Sequence, residues 1–254
     1  MTIIAQQSVF AIRNPLPLWK RAMDIVGSLF GLLVSLPVSA ITALYIVCVS
    51  PGPVFYKCMR VGYNGECFTM WKFRTMVDGD ASAHQNRMKD YIHGSRRDAP
   101  MTKGENDPRL IPLARVIRKA CIDEIPQFIN VLRGEMSLVG PRPALPYETN
   151  EFLRWHHARE QAVPGMTGLW QVSGKNGLTF QEMVALDIRY SRDVSIRQDV
   201  WILLMTIPSI VLQIVDRSGV LRRSVKGIER ETADSNQNIL VLSAVPEGQD
   251  LRLD

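Results

Sequence analysis

IVGSLFGLLVSLPVSAITALYIVCVS, residues Ile25 to Ser50, contains no charged side chain. As a helix rising about 1.5 Å per residue it would measure roughly 39 Å, more than the ~30 Å hydrocarbon core of a bilayer. A cleavable signal fits poorly, because the apolar run is too long and starts too far from Met1. A soluble core helix of this length would carry a polar face. The run is therefore read as a membrane helix. Arg13, Lys20 and Arg21 precede it and Lys57 and Arg60 follow it, so positive charge does not distinguish the two flanks. Ser35-Leu36-Pro37 lies mid-run, where proline removes a backbone donor and bends a helix. Basic flanks on both sides and a break at Ser35 and Pro37 predict a re-entrant hairpin with both ends on the cytoplasmic face. The alternative is a kinked spanning helix.

Downstream, Pro51-Gly52-Pro53 ends the run. Val54–Lys57 and Cys67–Phe73 read as strands joined through Gly62-Tyr63-Asn64-Gly65, since Asn-Gly between such runs marks a hairpin. Helices are expected near Ala81–Tyr91, over Arg109–Lys119, from Asp123 or Glu124 to about Leu132 with a stop at Gly134, near Tyr147–Glu160 and over Phe180–Arg189. Pro164–Gly168 and Ser173–Gly177 read as loops. A second apolar run, Val200–Ile214, is too short to span and contains Pro208, so it reads as an interfacial or core helix. The fold class is α+β, mostly helical. The expected parts are an N-terminal segment (1–19), a re-entrant membrane helix (20–50), a cytoplasmic catalytic domain (51–215) and a polar, disordered tail (216–254).

The totals bound the partners. In 254 residues, a net charge of +5 favours anionic ones: nucleic acid, acidic headgroups or phosphorylated substrates. Cys48, Cys58, Cys67 and Cys121 form no C-x-x-C pair, and no histidine stands at ligand spacing, so no soft-ligand metal site is expected.

The chemistry concentrates in Arg118-Lys-Ala-Cys-Ile-Asp123-Glu124-Ile-Pro126-Gln127. An aspartate at a helix start is ordinarily an N-cap. Here it has Arg118 and Lys119 to neutralise a phosphate, and Glu124 to bind a hard ion such as Mg²⁺, which often takes only one or two carboxylates. Arg142, set between Pro141 and Pro143, could clamp phosphate oxygens. Lys72 and Arg74 alternate with Trp71 and Phe73, placing the cations on one strand face and the aromatics toward the core. Asp78-Gly79-Asp80 is formally a D-x-D triplet.

Lys20-Arg21-Ala-Met-Asp24, Ser50–Phe55, Arg60-Val61-Gly62 and Lys72-Phe73-Arg74-Thr75-Met76 form one part of a set of blocks. Asp123–Gln127, Met136–Pro143 and Pro164–Gly174 complete it. In this order, over Leu18 to Val211, they resemble the bacterial sugar transferases, monotopic phosphoglycosyl transferases that begin exopolysaccharide, capsule and glycan assembly. The resemblance implies transfer of a sugar 1-phosphate from a UDP-sugar to polyprenyl (undecaprenyl) phosphate, releasing UMP. It implies Asp123 as nucleophile of a covalent phosphosugar intermediate and Glu124 as Mg²⁺ ligand. Arg118, Arg142, Lys72 and Lys175 would bind substrate phosphates, and Lys20 and Arg21 the lipid headgroup. It places the chain in the bacterial inner membrane with its catalytic domain on the cytoplasmic face, without nucleic acid as a partner. Oligomeric state stays open, with a homodimer allowed. Cys121 stands where the family commonly has Ser or Thr, Leu36 separates Ser35 from Pro37, and Lys175 replaces an arginine. With about nineteen residues before the membrane block, the chain resembles the small form of the family.

Two other readings compete. A membrane-attached glycosyltransferase using Asp78 and Asp80 would require a doubly wound sheet, and the βα alternation for one is missing. A basic membrane scaffold would work without Asp123. The sugar is not marked by any motif, and residues 77–107 are a candidate lid.

Overall fold

A computed structural model describes residues 16–80, 82–94, 107–174 and 177–215. The chain divides into two compact units, Met1–Val211 and Leu212–Asp254. The architecture below belongs to the first, apart from the last four residues of the C-terminal helix.

Helix α1 (Leu18–Val49) takes up the apolar run and stays helical through Pro37. The interruption expected at Ser35 and Pro37 is thus not a break in the helix, and the Ser35 hydroxyl donates to Leu32 O. The polarity of α1 is inverted. Lys20, Asp24 and Ser28, spaced four apart on one face, are buried, as are Thr42 and Ile46. Leu29, Phe30, Leu33, Val34, Leu36, Ile41 and Leu44 all point away from the protein. An aqueous globule buries the opposite face. Both ends of α1 pack on the same body. A methyl group on Gly31 would meet the Phe128 ring at 2.5 Å, so the first half lies very close to the helix that carries Phe128. Toward the other end, Ile46 packs with Phe73, Ile111 and Ala114, and Tyr45 donates to Pro112 O.

Strands β1 (Phe55–Val61) and β2 (Cys67–Phe73) form the expected antiparallel hairpin, with Phe55 opposite Phe73 and Tyr56 opposite Lys72. The turn needs positive φ at Asn64 (52°) and Gly65 (79°), which these residue types tolerate. The aromatics do not alone face the core: Phe73 is buried, but so is Met70 on the Lys72 face, because helices cover both sides.

Helix α2 (Ser82–His93) buries Met88, Tyr91 and Ile92 against Trp170, Phe180, Met183 and Val184. That half of the candidate lid is docked in a core. The helix expected over Arg109–Lys119 shortens to α3 (Ala114–Lys119). Pro112 lacks an N–H and Leu113 is left-handed (φ 53°), so residues before them pair with the chain leaving β2 instead. Helix α4 (Gln127–Arg133) stops at Gly134 (φ 83°) as expected. Its start differs: Asp123 and Glu124 sit on a separate 3₁₀ turn, Ile122–Glu124, and Pro126 precedes the first helical residue.

Strands β3 (Ser137–Val139) and β4 (Gly165–Thr167) pair in parallel, so the loop expected over Pro164–Gly168 contains a strand. Gly140 and Gly165 cross backbone to backbone, and a Cβ on either would overlap the other strand's main chain. The single helix expected over Tyr147–Glu160 is two pieces, α5 (Pro146–Thr149) and a 3₁₀ segment Arg154–Gln161. The His156 ring takes the Leu153 N–H that a continuous helix would have used. Short α6 (Leu169–Val172), α7 (Phe180–Arg192) and α8 (Ile196–Val215) complete the chain. Thr179 and Glu182 cap α7 reciprocally. On α8, Asp199 and Ile202 are buried while Val200, Trp201, Leu204 and Ile207 are exposed, as an interfacial helix would present them.

Candidate active site

The Asp123–Glu124 turn hangs between α3 and α4. Cys121 reverses the chain with a left-handed φ of 56°, and the Glu124 N–H returns to Cys121 O. Asp123 is 5% exposed. Glu124 faces β2, where Lys72 Nζ lies 3.0 Å from its Oε1, both side chains about one-fifth exposed (21% and 20%). That pair is open enough to exchange its partner for a ligand. Arg118, in the last turn of α3, donates toward Met76 Sδ at 3.2 Å.

The turn and strand are locked together by a side chain that no sequence motif marks. Asn130 on α4 is fully buried; its Oδ1 accepts the Trp71 N–H, and its Nδ2 donates to Thr69 O and Glu135. A side-chain amide thus satisfies two backbone groups of β2 and fixes Lys72 relative to Glu124. In sequence it is one of three polar residues on the seven-residue α4, with Gln127 and Arg133, and nothing local sets it apart.

Other expected site residues are placed differently. Arg142 is ion-paired with buried Glu148 at 3.2 Å. Burial opposes the charge on each, but each offsets this for the other, so Glu148 stays below and Arg142 above its ordinary pKa. Lys20, expected at a lipid headgroup, is 1% exposed and donates to Asp199 and Val139 O. Arg21 donates both terminal nitrogens to Val131 O and Leu132 O at the end of α4. The Lys20 charge is thus turned to a buried carboxylate, and the Arg21 guanidinium to carbonyls at the end of α4. Lys175 and the tail after residue 215 lie outside the described residues.

Among the described residues no cluster of three or more His, Cys, Asp or Glu could hold a metal unaided. The partly open Glu124 carboxylate, a hard oxygen donor, fits a Mg²⁺ whose other positions would be completed by substrate phosphates.

The family model for "Bacterial sugar transferase" matches residues 16–213. The chain belongs to the bacterial sugar transferase family. The matched span contains α1, the dyad turn and nearly all of α8. Relatives within the family include galactosyl transferase CpsE of Streptococcus agalactiae, 40% identical over 76% of this chain and 42% of CpsE. Exopolysaccharide production protein ExoY of Sinorhizobium fredii is 33% identical over 81% of this chain and 91% of ExoY. Undecaprenyl-phosphate galactose phosphotransferase of Salmonella typhimurium is 37% identical over 74% of this chain and 39% of that protein. The chain therefore spans about two-fifths of CpsE and the Salmonella protein, and about nine-tenths of ExoY.

Proposed function

We propose that the protein moves a sugar 1-phosphate from a UDP-sugar to polyprenyl phosphate at a membrane surface, the first membrane step of exopolysaccharide, capsule or glycan synthesis. The observation that carries this is the Asp123–Glu124 turn held against Lys72 in a member of this family. An Asp123 carboxylate oxygen attacks the sugar-proximal phosphorus. The phosphoanhydride P–O bond breaks and UMP departs with the electron pair. A phosphate oxygen of the lipid then attacks the same phosphorus, breaking the acyl phosphate and restoring the carboxylate. Lys72 and Arg118 offset charge on the phosphoryl oxygens. Glu124 would hold Mg²⁺, which when bound neutralises donor phosphate charge. Burial of Asp123 limits water, which would otherwise hydrolyse the intermediate.

The inverted polarity of α1 supports membrane seating, and a bend at Pro37 would let its two ends, packed on one body, keep to one face of the membrane in a re-entrant course. The catalytic body then lies on the cytoplasmic face of the bacterial inner membrane, within reach of soluble nucleotide sugars. The deciding experiment measures UMP release from a panel of UDP-sugars with undecaprenyl phosphate and Mg²⁺. Wild type should release UMP with one donor, and Asp123→Asn should lower that rate by about 10³-fold or more. Full activity in folded Asp123→Asn overturns the mechanism.

A further inference from the structure

Two arginine forks fasten the two ends of α1 to the two elements that flank the dyad. At the start of α1, Arg21 reaches into the protein, Nη1 to Val131 O and Nη2 to Leu132 O, both at 2.6 Å, closing the end of α4. At the exit of α1 the direction reverses. Arg74, just past β2, sends Nη1 to Pro51 O and Nη2 to Ser50 O, again both at 2.6 Å. The Arg74 N–H also donates to Val54 O at 2.9 Å, so backbone and side chain grip the same exit segment. Such forks are bidentate and directional, which a lysine cannot reproduce. Arg74 lies two residues from Lys72, on the same side of the chain, and Lys72 holds Glu124. Position is thereby relayed from the α1 exit through Arg74 and Lys72 to the dyad.

Resting on the phosphoglycosyl transferase reading above, we propose that Arg74 is a positioning residue for the lipid acceptor: its fork sets the height of the Asp123–Glu124 turn over the membrane. The physical reason is an asymmetry between the two substrates. A nucleotide sugar is soluble and finds the turn at any height. A polyprenyl phosphate carries its phosphate at a depth fixed by the bilayer, so a turn displaced along the membrane normal is displaced from the acceptor alone. Gly52 gives an independent handle on the same contact. Its φ is +116°, and a methyl group there would stand 2.8 Å from Arg74 Nη1, pushing the fork without altering its charge.

The test compares wild type, Arg74→Lys and Gly52→Ala with the UDP-sugar the wild type turns over. Three rates are measured: the burst of UMP without acceptor, transfer to undecaprenyl phosphate in phosphatidylethanolamine–phosphatidylglycerol vesicles, and transfer to water-soluble geranyl phosphate. Both variants should raise KM for the vesicle acceptor about tenfold while the burst and the geranyl phosphate reaction stay within about twofold. Equal losses in all three rates, or no loss in any, overturn the proposal. A second readout needs no turnover: a nitroxide at exposed position 116 on α3, beside the dyad, reports bilayer depth through oxygen and nickel accessibility. Its depth should shift in both variants, and an unchanged depth overturns the height mechanism even if activity falls. Wild type that releases no UMP from any donor would instead count against the reaction itself, leaving the depth measurement to decide the role of the fork.

Discussion

Lys20 Nζ lies 2.5 Å from Asp199 Oδ2, joining the first turn of α1 to the first turn of α8 across 179 residues of sequence. The Tyr190 hydroxyl stands 2.7 Å from the other carboxylate oxygen, and Val139 O accepts from Lys20 at 3.0 Å. Both charges are sealed from solvent, so each depends on the other for its solvation.

Breaking one side of this pair strands the remaining charge. Lys20→Met and Asp199→Asn should each destabilise the protein by about 3–5 kcal/mol, with the double replacement costing less than their sum. Thermal unfolding in detergent would check this. Additive single effects would show that the two charges are independent.

The Lys72–Glu124 pair is more open and should behave oppositely. Lys72→Met is expected to change stability by less than about 1 kcal/mol, because a partly solvated pair contributes little. The same change should lower kcat by about tenfold or more, since it removes a positive charge beside the phosphoryl group. Steady-state kinetics with unfolding curves on the same preparation would separate the two effects. A large stability loss with kcat preserved would make Lys72 a structural residue.

His156 predicts a pH dependence of stability. It is 1% exposed, and its Nδ1 accepts the Leu153 N–H, which requires the neutral ring. Burial, with Arg159 and His157 nearby, lowers its pKa to about 4. Between that value and the ordinary pKa near 6.5 the unfolded chain binds the extra proton and the folded chain does not. Its stabilising contribution is therefore complete above pH 6.5 and is lost as pH falls through this window, by about 2–3 kcal/mol at pH 4.5. Urea unfolding midpoints from pH 7.5 to 4.5 should show this slope, and His156→Gln should flatten it. An unchanged slope in the variant would assign it to other groups.

The course of α1 can be read from labelling. With other cysteines replaced, Cys48 near the end of α1 and a cysteine at Leu18 should react with an impermeant maleimide from the same side of sealed inverted vesicles. Labelling of the two positions from opposite sides would establish a spanning helix instead.

Much of the site was legible because its signals are local. Asn64-Gly65 allows the positive φ of the β1–β2 turn, Gly134 ends α4, and Asp123 and Glu124 are neighbours in sequence. The errors arose where a distant partner overrode local preference. Pro112 and left-handed Leu113 turned half of an expected helix into pairing with the chain after β2. The His156 ring diverted one backbone N–H and split another helix. The β3–β4 pair was missed because three-residue strands have no periodicity to read, and their glycines look like turn residues until the crossing of Gly140 and Gly165 gives them a packing role.

By itself the sequence determined the long apolar helix, the β-hairpin, the adjacent carboxylates and the family, since each follows from residue types close together along the chain. Only the tertiary structure decided which way each cation points. Lys20 and Arg21 look like headgroup ligands on a linear chain, and Arg74 like a solvent-facing strand residue. A charge settles where desolvation is best compensated, and here carboxylate and carbonyl acceptors at Asp199, Val131, Leu132, Ser50 and Pro51 do so. Folding brings those acceptors together from distant parts of the chain, so their pairing with these cations cannot be read locally.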